Sequence, residues 1–219
     1  MALRPHYLYA LNELQRALLQ LSEAVQQMID LALRGLLRAE RVAAERVLRM
    51  DDEIDERRRD IETRVLRLIA GQQPMASDLR FLLAALHIAD ELERIGDYAE
   101  GIARLALRSA ALAEHEPLRL RELIALVQAM LRAAVTAFVE RDAEAAARLD
   151  RDDDQVDRLT QALRAELIAR IQAAPSAAPA LVQLLFVTHN LERIADRAVN
   201  IAERTAFIAS AEALRARRH

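Results

Sequence analysis

The stretch that decides the fold is ERIGDYAEGIA, from Glu93 to Ala103, and a close copy, ERIADRAVNIA, occupies residues 192–202. Side chains three and four residues apart share one face of an α-helix. Glu93 and Asp97 therefore fall on one stripe, which Asp90 and Glu100 extend. The opposite stripe is apolar and consists of Ile88, Leu92, Ile95, Ala99 and Ile102. The pattern predicts a helix with a core face and a carboxylate face, present twice.

The repeat extends to the helix that precedes each copy. The motif at Glu192–Asp196 matches Glu93–Asp97 at an offset of 99 residues, and DDQVD at 153–157 matches DDEID at 51–55 at an offset of 102. A shorter second loop accounts for the difference. Each half therefore carries D-x-x-x-D on its middle helix and E-x-x-x-D on its last helix, which is the pattern of an internal duplication.

Composition favours an all-α fold. The 219 residues are 53% hydrophobic, enough for a buried core, while only 3% are aromatic and four are glycine, which disfavours β-sandwiches. Apolar residues recur at threes and fours over six long segments, interrupted near 38–41, at GQQP, at 111–117 and at AAPSAAP. We expect two tandem three-helix bundles, with residues 1–113 as the first repeat and 114–219 as the second.

Charge and targeting signals exclude several classes of protein. The net charge of -3 and the pI near 6.0 give no basic field, so no nucleic-acid partner is expected. The chain has no cysteine, which excludes disulfides and thiolate metal sites. It also has no signal peptide and no uncharged apolar run of about 18 residues, so we expect a cytoplasmic protein without membrane insertion.

Carboxylates spaced by four residues predict metal binding. Each like-charged pair costs a helix about 0.2–0.5 kcal/mol, and a hard multivalent cation would offset that cost. A single such motif is more often a solvated helix face with arginine partners, but its recurrence on two helices of both halves favours metal. The candidate ligands are Asp51, Asp55, Glu93, Asp97, Asp153, Asp157, Glu192 and Asp196, with Glu62, Asp90 and Glu100 as auxiliary groups.

Other chemistries find less support in the sequence. No histidine follows a glutamate by three residues, as the di-iron bundle enzymes require, and no phosphate loop, nucleophile elbow or dinucleotide fingerprint occurs. His189 precedes the second acidic motif by three residues and could be a ligand, but a histidine near the polar face of a helix is more often structural. A binding module is favoured over an enzyme. The alternatives are a metal-dependent phosphate-handling enzyme and a metal-binding or storage helical protein.

MDDEID, GQQPMASDLR, DELERIGDYAEGIA and LERIADRAVNIAE resemble the motifs of the PhoU family of phosphate-responsive regulators. The resemblance runs from about Asp51 to Glu203, although Ala195 replaces Gly96 and the second half has no QQP. It implies two three-helix bundles, and divalent or trivalent metal ions (iron, zinc, manganese or magnesium) at the acidic motifs. It also implies a negative regulator that couples the cytoplasmic subunits of a phosphate ABC transporter to a sensor histidine kinase. A homodimer stays open.

Overall fold

The computed structural model describes residues 3–72, 74, 76–109 and 111–216, and every regular element in them is helical. There are seven α-helices and one 3₁₀ turn among these residues. In chain order they are α1 Leu3–Arg38, α2 Arg41–Gln72, α3 Ala76–Arg108, α4 Ala111–Glu114, α5 Leu118–Glu140, α6 Ala143–Ala173, the 3₁₀ turn Pro175–Ala177 and α7 Ala178–Ala216.

The first bundle consists of α1, α2 and α3, which pack pairwise against one another. Their predicted apolar stripes are buried. On α3 the stripe from Ile88 to Ile102 is at most 2% exposed. The turn between α1 and α2 is tight, because Ala39 adopts φ 52 and Glu40 accepts backbone hydrogen bonds from Ala43 and Ala44. An up-down-up bundle results.

The second bundle repeats this arrangement with α5, α6 and α7. Pro117 stands at the N-cap of α5, where its missing N–H is no loss. Asp142 caps α6 by accepting hydrogen bonds from the backbone N–H groups of Glu144 and Ala145. Both helices therefore begin at residues whose chemistry suits a helix start.

The two bundles meet where α3 packs against α7. The two helices run antiparallel: in the contacts that follow, residue numbers fall along α3 as they rise along α7. A Cβ on Gly101 would lie 2.8 Å from Asn190 Nδ2. Arg193 Nε donates to Tyr98 Oη at 3.4 Å, and Arg197 Nη1 donates to Glu91 Oε2 at 3.2 Å. The last helix of each half therefore forms the interface between them.

Two further contacts between described residues join the bundles outside the α3/α7 contact. The rings of Phe81 on α3 and Phe138 on α5 stack with centroids 5.8 Å apart, and the Arg141 guanidinium lies 5.4 Å from the Phe81 centroid. Gln128 on α5 donates to Asp30 on α1 at 2.6 Å. Both aromatic rings are buried, so the halves share apolar as well as polar contacts.

The structure confirms the all-α fold of two tandem three-helix bundles. The predicted breaks near 38–41, at GQQP and at AAPSAAP each lie where one long helix ends and the next begins, whereas the predicted break at 111–117 contains the short helix α4. The predicted boundary between residues 113 and 114 falls inside the short helix α4, and residues 1 and 219 lie outside the described part of the chain. The division into 1–113 and 114–219 stays a prediction.

One helix of the described part, α5, is long and apolar enough to cross a membrane. Nine of its residues, from Leu120 to Phe138, are buried within the protein. α5 packs on α6 and α7, and the core helix of a helical bundle has the same composition.

We predict opposite effects on stability from alanine at two helical glycines. A Cβ on Gly35 would lie 2.8 Å from Ala44 Cβ across the α1/α2 contact, whereas a Cβ on Gly71 meets nothing within 4 Å. Gly71→Ala should raise the free energy of unfolding by about 0.5–1 kcal/mol through helix propensity. Gly35→Ala should lower it, since overpacking costs about 1–3 kcal/mol. Urea unfolding measures both; equal stabilisation would contradict the close α1/α2 contact.

Candidate metal centres

The first acidic patch consists of Asp51 and Asp55 on α2 together with Glu93, Asp97 and Glu100 on α3. Burial of the apolar stripes of both helices turns these carboxylates toward each other. Gly96 lets α3 approach its neighbours, because a Cβ there would lie only 3.4 Å from Ile54 Cγ2 and 3.7 Å from Met28 Sδ. The stretch quoted first from the sequence therefore lies beside the Asp51–Asp55 motif, as predicted.

Three carboxylates of this patch have raised pKa values. Partial burial raises the pKa of Asp51, and the charges of Glu100, Asp97 and Asp55 raise it further. Burial and then Asp97 and Asp55 raise the pKa of Glu93, although Arg58 and Arg94 oppose the shift. Burial, Asp55 and Glu100 raise the pKa of Asp97. The patch is a set of mutually repelling negative charges.

The arginines near this patch form ion pairs with two of its five carboxylates. Arg59 donates to Asp55 at 2.8 Å, and Arg104 donates to Glu100 at 2.6 Å. The other three carboxylates, those with raised pKa values, form no ion pair with any residue the structure describes. These three carboxylates would therefore attract a cation most strongly.

The auxiliary candidates divide between two environments. Glu100 lies within the first acidic patch. Asp90 and Glu62 instead flank Arg58, whose Nε donates to Asp90 at 2.8 Å and whose Nη1 donates to Glu62 at 2.7 Å. The side-chain hydrogen bond to Asp90 is the main reason that the Arg58 pKa is raised. Of the four carboxylates expected on one stripe of α3, three therefore belong to the first acidic patch, whereas Asp90 forms an ion pair with Arg58.

The second acidic patch consists of Asp153 and Asp157 on α6 and Glu192 and Asp196 on α7. Burial raises the pKa of Asp153, followed by the charges of Asp157 and Asp196. Oδ1 of Asp153 is buried and has no hydrogen-bond partner in the described part of the chain. A buried carboxylate oxygen without a donor is costly unless a cation or water satisfies it.

Basic groups hold both α7 members of this second patch. Arg164 donates to Glu192 Oε2 at 2.5 Å, and His189 Nδ1 lies 3.6 Å from the same oxygen. Arg193 donates to Asp196 Oδ2 at 2.7 Å. The second patch therefore differs electrostatically from the first, although its carboxylates occupy equivalent positions.

Both patches offer a donor set that fits a hard cation, since carboxylate oxygens are the preferred ligands of such ions. The unpaired carboxylates of the first patch and the buried Oδ1 of Asp153 in the second fit the same chemistry. As the side chains stand, no three His, Asp or Glu residues of the described chain are grouped closely enough to chelate one ion. Metal binding at these patches and the identity of the ion both stay predictions.

Comparison with known proteins places this architecture in a family. A PhoU domain model matches twice, at residues 18–106 and 120–205, so that each match covers most of one bundle. The chain belongs to the PhoU family. The two matched segments share the acidic motifs of the two patches.

Relatives and solved structures agree with that assignment. A homologue from Clostridium acetobutylicum, named a phosphate-specific transport system accessory protein, is 34% identical over 200 residues, which cover 90% of this chain and 91% of the relative. A homologue of the same name from Streptococcus pneumoniae is 33% identical, and the alignment covers 92% of this chain and 94% of the relative. The crystal structure of PhoU from Pseudomonas aeruginosa matches with a TM-score of 0.87 at 30% identity. The match covers 94% of this chain and 99% of that chain.

Arg164, which binds Glu192 in the second patch, was not identified from the sequence. It lies eleven residues after Asp153, three helical turns along the same face. When the halves are aligned at the offset of 102, Arg164 takes the position of Glu62. This change from a negative to a positive residue is the signal in the sequence that could have identified Arg164. The acidic motifs drew attention because both halves keep them, whereas the arginines differ between halves.

Repulsion within the first acidic patch predicts the pH dependence of stability in metal-free protein. A raised pKa means that the folded state keeps its protons to a higher pH than the unfolded chain. The protonated carboxyl groups therefore stabilise the folded state at pH values below the ordinary carboxyl range. This contribution to the free energy of unfolding is lost as the pH rises through the raised pKa values. With chelator present, Asp97→Asn should therefore flatten the fall in unfolding free energy as the pH rises above the ordinary carboxyl range of about pH 4.

The same variant should raise the unfolding free energy at neutral pH by about 0.2–0.5 kcal/mol for each like-charged pair removed. Asp60→Asn is the matched control, because Asp60 accepts from Arg64 on the exposed side of α2 at 2.6 Å. Urea unfolding across this pH range measures both variants. A slope unchanged in Asp97→Asn would mean that the patch is an ordinary solvated face.

Proposed function

We propose that this protein is an accessory regulator of phosphate transport, which represses phosphate uptake and phosphate-starvation signalling when phosphate is plentiful. The observation that carries the proposal is the match of PhoU domains to both halves, with relatives named phosphate-specific transport system accessory proteins over about nine tenths of the chain. The names describe accessory proteins rather than enzymes, which favours a regulator over the rival phosphate-handling enzyme.

The architecture supports a protein that bridges partners. Two rigid three-helix bundles present two acidic patches on helix faces rather than in one enclosed cleft. Charged faces of this kind give specificity and orientation in protein contacts. The partners we propose are the cytoplasmic subunits of a phosphate ABC transporter and a sensor histidine kinase, so that this protein acts in the cytoplasm and reports transporter state to the kinase.

Metal ions at the acidic patches are part of the proposal. In the first half Asp51, Asp55, Glu93 and Asp97 would hold the ion, with Glu100 within reach of the same face. In the second half the corresponding ligands are Asp153, Asp157, Glu192 and Asp196. A bound cation would replace repulsion among carboxylates by attraction and would hold the middle and last helices of each bundle together.

Metal should therefore stabilise the fold by mass action. At free metal about a hundredfold above its dissociation constant, the free energy of unfolding rises by about 2.7 kcal/mol. We expect a chelator to lower the melting temperature and added Mn²⁺ to restore it. In the double variant Asp97→Asn/Asp196→Asn the difference between chelated and metal-loaded protein should shrink, with Asp60→Asn as the control. Equal metal content in parent and double variant would show that the patches do not bind metal.

The regulatory role is tested in the cell. Deleting the gene should release phosphate uptake and phosphate-starvation genes from repression at high phosphate, and the wild-type gene should restore repression. Transcript levels and phosphate uptake rates measure this response. A deletion strain that responds like its parent, combined with purified protein that binds neither transporter subunits nor kinase, would reject the regulatory role.

The Asp97→Asn/Asp196→Asn variant then separates two uses of the metal. Lost repression with an unchanged melting temperature in the presence of metal points to a contact with a partner. Lost repression with a lowered melting temperature points to a structural ion. Asp60→Asn, which changes one exposed carboxylate of α2, should retain full repression.

A further inference from the structure

Large apolar side chains are exposed at equivalent places in the two bundles. Each half has two of them on its middle and last helices, and all four are between 41% and 56% exposed: Leu66, Leu83, Ile168 and Val182. Ile168 is the equivalent of Leu66 at the offset of 102, and Val182 is the equivalent of Leu83 at the offset of 99. Both positions are therefore apolar and exposed in each half, although the residue types differ.

The two exposed side chains of the first half lie at the same level of neighbouring helices. Arg58 Nε donates to Asp90 at 2.8 Å, and this contact fixes the register of the antiparallel helices α2 and α3. Leu66 lies about two turns beyond Arg58 along α2, and Leu83 lies about two turns before Asp90 along α3. The same face of the bundle therefore carries an apolar side chain from each helix.

Partly buried neighbours extend each exposed pair. Ile69 corresponds to Ile171, and Leu86 corresponds to Leu185, and all four pack against the core at their inner side. We define the first apolar patch as Leu66, Ile69, Leu83 and Leu86, and the second apolar patch as Ile168, Ile171, Val182 and Leu185. Exposed apolar surface that is grouped in this way is typical of interaction sites.

Each apolar patch continues into an acidic patch along the same pair of helices. Leu66 follows Asp55 by eleven residues on α2, which is about 16 Å of helix, and Leu83 precedes Glu93 by ten residues on α3. The second half repeats this order on α6 and α7. A partner helix of about four turns is about 22 Å long, so it could contact both patches of one half at once.

Both acidic patches have carboxylates to offer to such a partner. In the first, Asp51, Glu93 and Asp97 form no ion pair with any residue that the structure describes. In the second, the same holds within the described chain for Asp153 and Asp157. Each half therefore presents apolar side chains at one end of a helix pair and unpaired negative charge further along it.

We propose that the apolar patch and the acidic patch of each half together form a docking surface for an amphipathic helix of a partner protein. The helix has apolar side chains on its first two turns and lysine or arginine on the next two. Apolar side chains spaced by three and four residues are how a helix docks in such a groove, and complementary charge fixes its orientation. The surface would serve the partner contact of the proposed regulatory role, on which the inference rests.

Charge favours this occupant over two others. A membrane surface with anionic lipids would be repelled by the carboxylates beside each apolar patch. A second copy of this chain would bring the same carboxylates, and its formal net charge is -3. A basic helix instead gives each unpaired carboxylate an opposite charge.

A synthetic peptide tests the surface directly. The probe is a fluorescent helical peptide with leucines spaced by three and four residues on its first two turns and lysines on the same face of its last two turns. The fourfold variant Leu66→Gln/Leu83→Gln/Ile168→Gln/Val182→Gln should weaken its binding about tenfold or more, measured by fluorescence anisotropy. Glutamine keeps a high helix propensity. Val42→Gln/Leu118→Gln is the matched control, because both side chains are exposed and apolar but lie outside the patches.

The charged end of the surface has its own test. A peptide with glutamates in place of the lysines should bind the parent at least tenfold more weakly, and added salt should weaken binding of the lysine peptide. Asp97→Asn/Asp196→Asn should weaken that binding too, whereas Asp60→Asn should not. Circular dichroism verifies that each variant is folded. Leu66→Gln/Leu83→Gln alone provides a second test if the fourfold variant does not fold.

Repression in the cell connects the surface to the proposed function. The fourfold variant should lose repression of phosphate-starvation genes at high phosphate, and Val42→Gln/Leu118→Gln should retain it. Full repression by the folded fourfold variant, in a strain where deletion releases these genes, would overturn the docking surface and leave the regulatory role intact. A deletion strain that responds like its parent would reject the regulatory role, and peptide binding would then decide about the surface alone.

Three binding results would also overturn the proposal. The first is a parent protein that does not bind the lysine peptide, or a fourfold variant that binds it as tightly as the parent does. The second is binding to anionic lipid vesicles that the fourfold variant loses, which would assign the apolar patches to a membrane surface. The third is a dimer, seen by sedimentation equilibrium, that the fourfold variant loses, which would assign them to a second copy of the chain.

Discussion

The rest of the structure depends on the burial of the apolar stripe of α3 against α1 and α2. Burying one leucine or isoleucine contributes about 1.5–3 kcal/mol, whereas a like-charged pair on a helix costs about 0.2–0.5 kcal/mol. Several buried side chains on α3 therefore outweigh the repulsion among its carboxylates. Because the core fixes the rotation of α3 and α2, their acidic faces have to meet. The hydrophobic core imposes an electrostatic arrangement that the charges alone would avoid.

The second bundle meets the same constraint with different residues. Its core also turns two acidic motifs toward each other. Arginines bind Glu192 and Asp196 there, whereas in the first patch they bind Asp55 and Glu100. A partly buried ion pair of this kind contributes little net stability, because desolvation offsets much of the Coulomb attraction. Its larger effect is to lower the negative potential of the second acidic patch. The two halves thus share a fold and differ in which carboxylates their arginines bind.

Much of the fold could be predicted from the sequence, because helical periodicity reports directly which face is buried. The stripe from Ile88 to Ile102, the cap at Pro117 and the breaks between helices follow from local chemistry. The pairing of Asp90 with Arg58 could not be predicted, since it depends on which of several neighbouring carboxylates the arginine reaches. A contact over 32 residues of chain leaves no periodic signal.

The candidate site was predictable only as far as both halves agree. The acidic motifs recur and were found, while the arginine that binds Glu192 occurs once and was overlooked. The interface between α3 and α7 was not predicted in detail either. Its contacts involve a glycine, a tyrosine and charged residues at isolated positions, and these do not form a stripe that distinguishes an interface from a solvated face.

The antiparallel contact of α3 with α7 has a consequence for the origin of the chain. Each residue of this contact has an equivalent in the other half at the offset of 99. The pairs formed by these equivalents lie along the same antiparallel line as the observed pairs, which is what an approximate twofold axis requires. Self-complementary contact of this form is how two copies of one subunit associate. A single three-helix ancestor with such a face could pair with itself, and fusing two copies needs only the short link from residue 109 to 117. Fusion then frees each copy to change its own charges without altering the other.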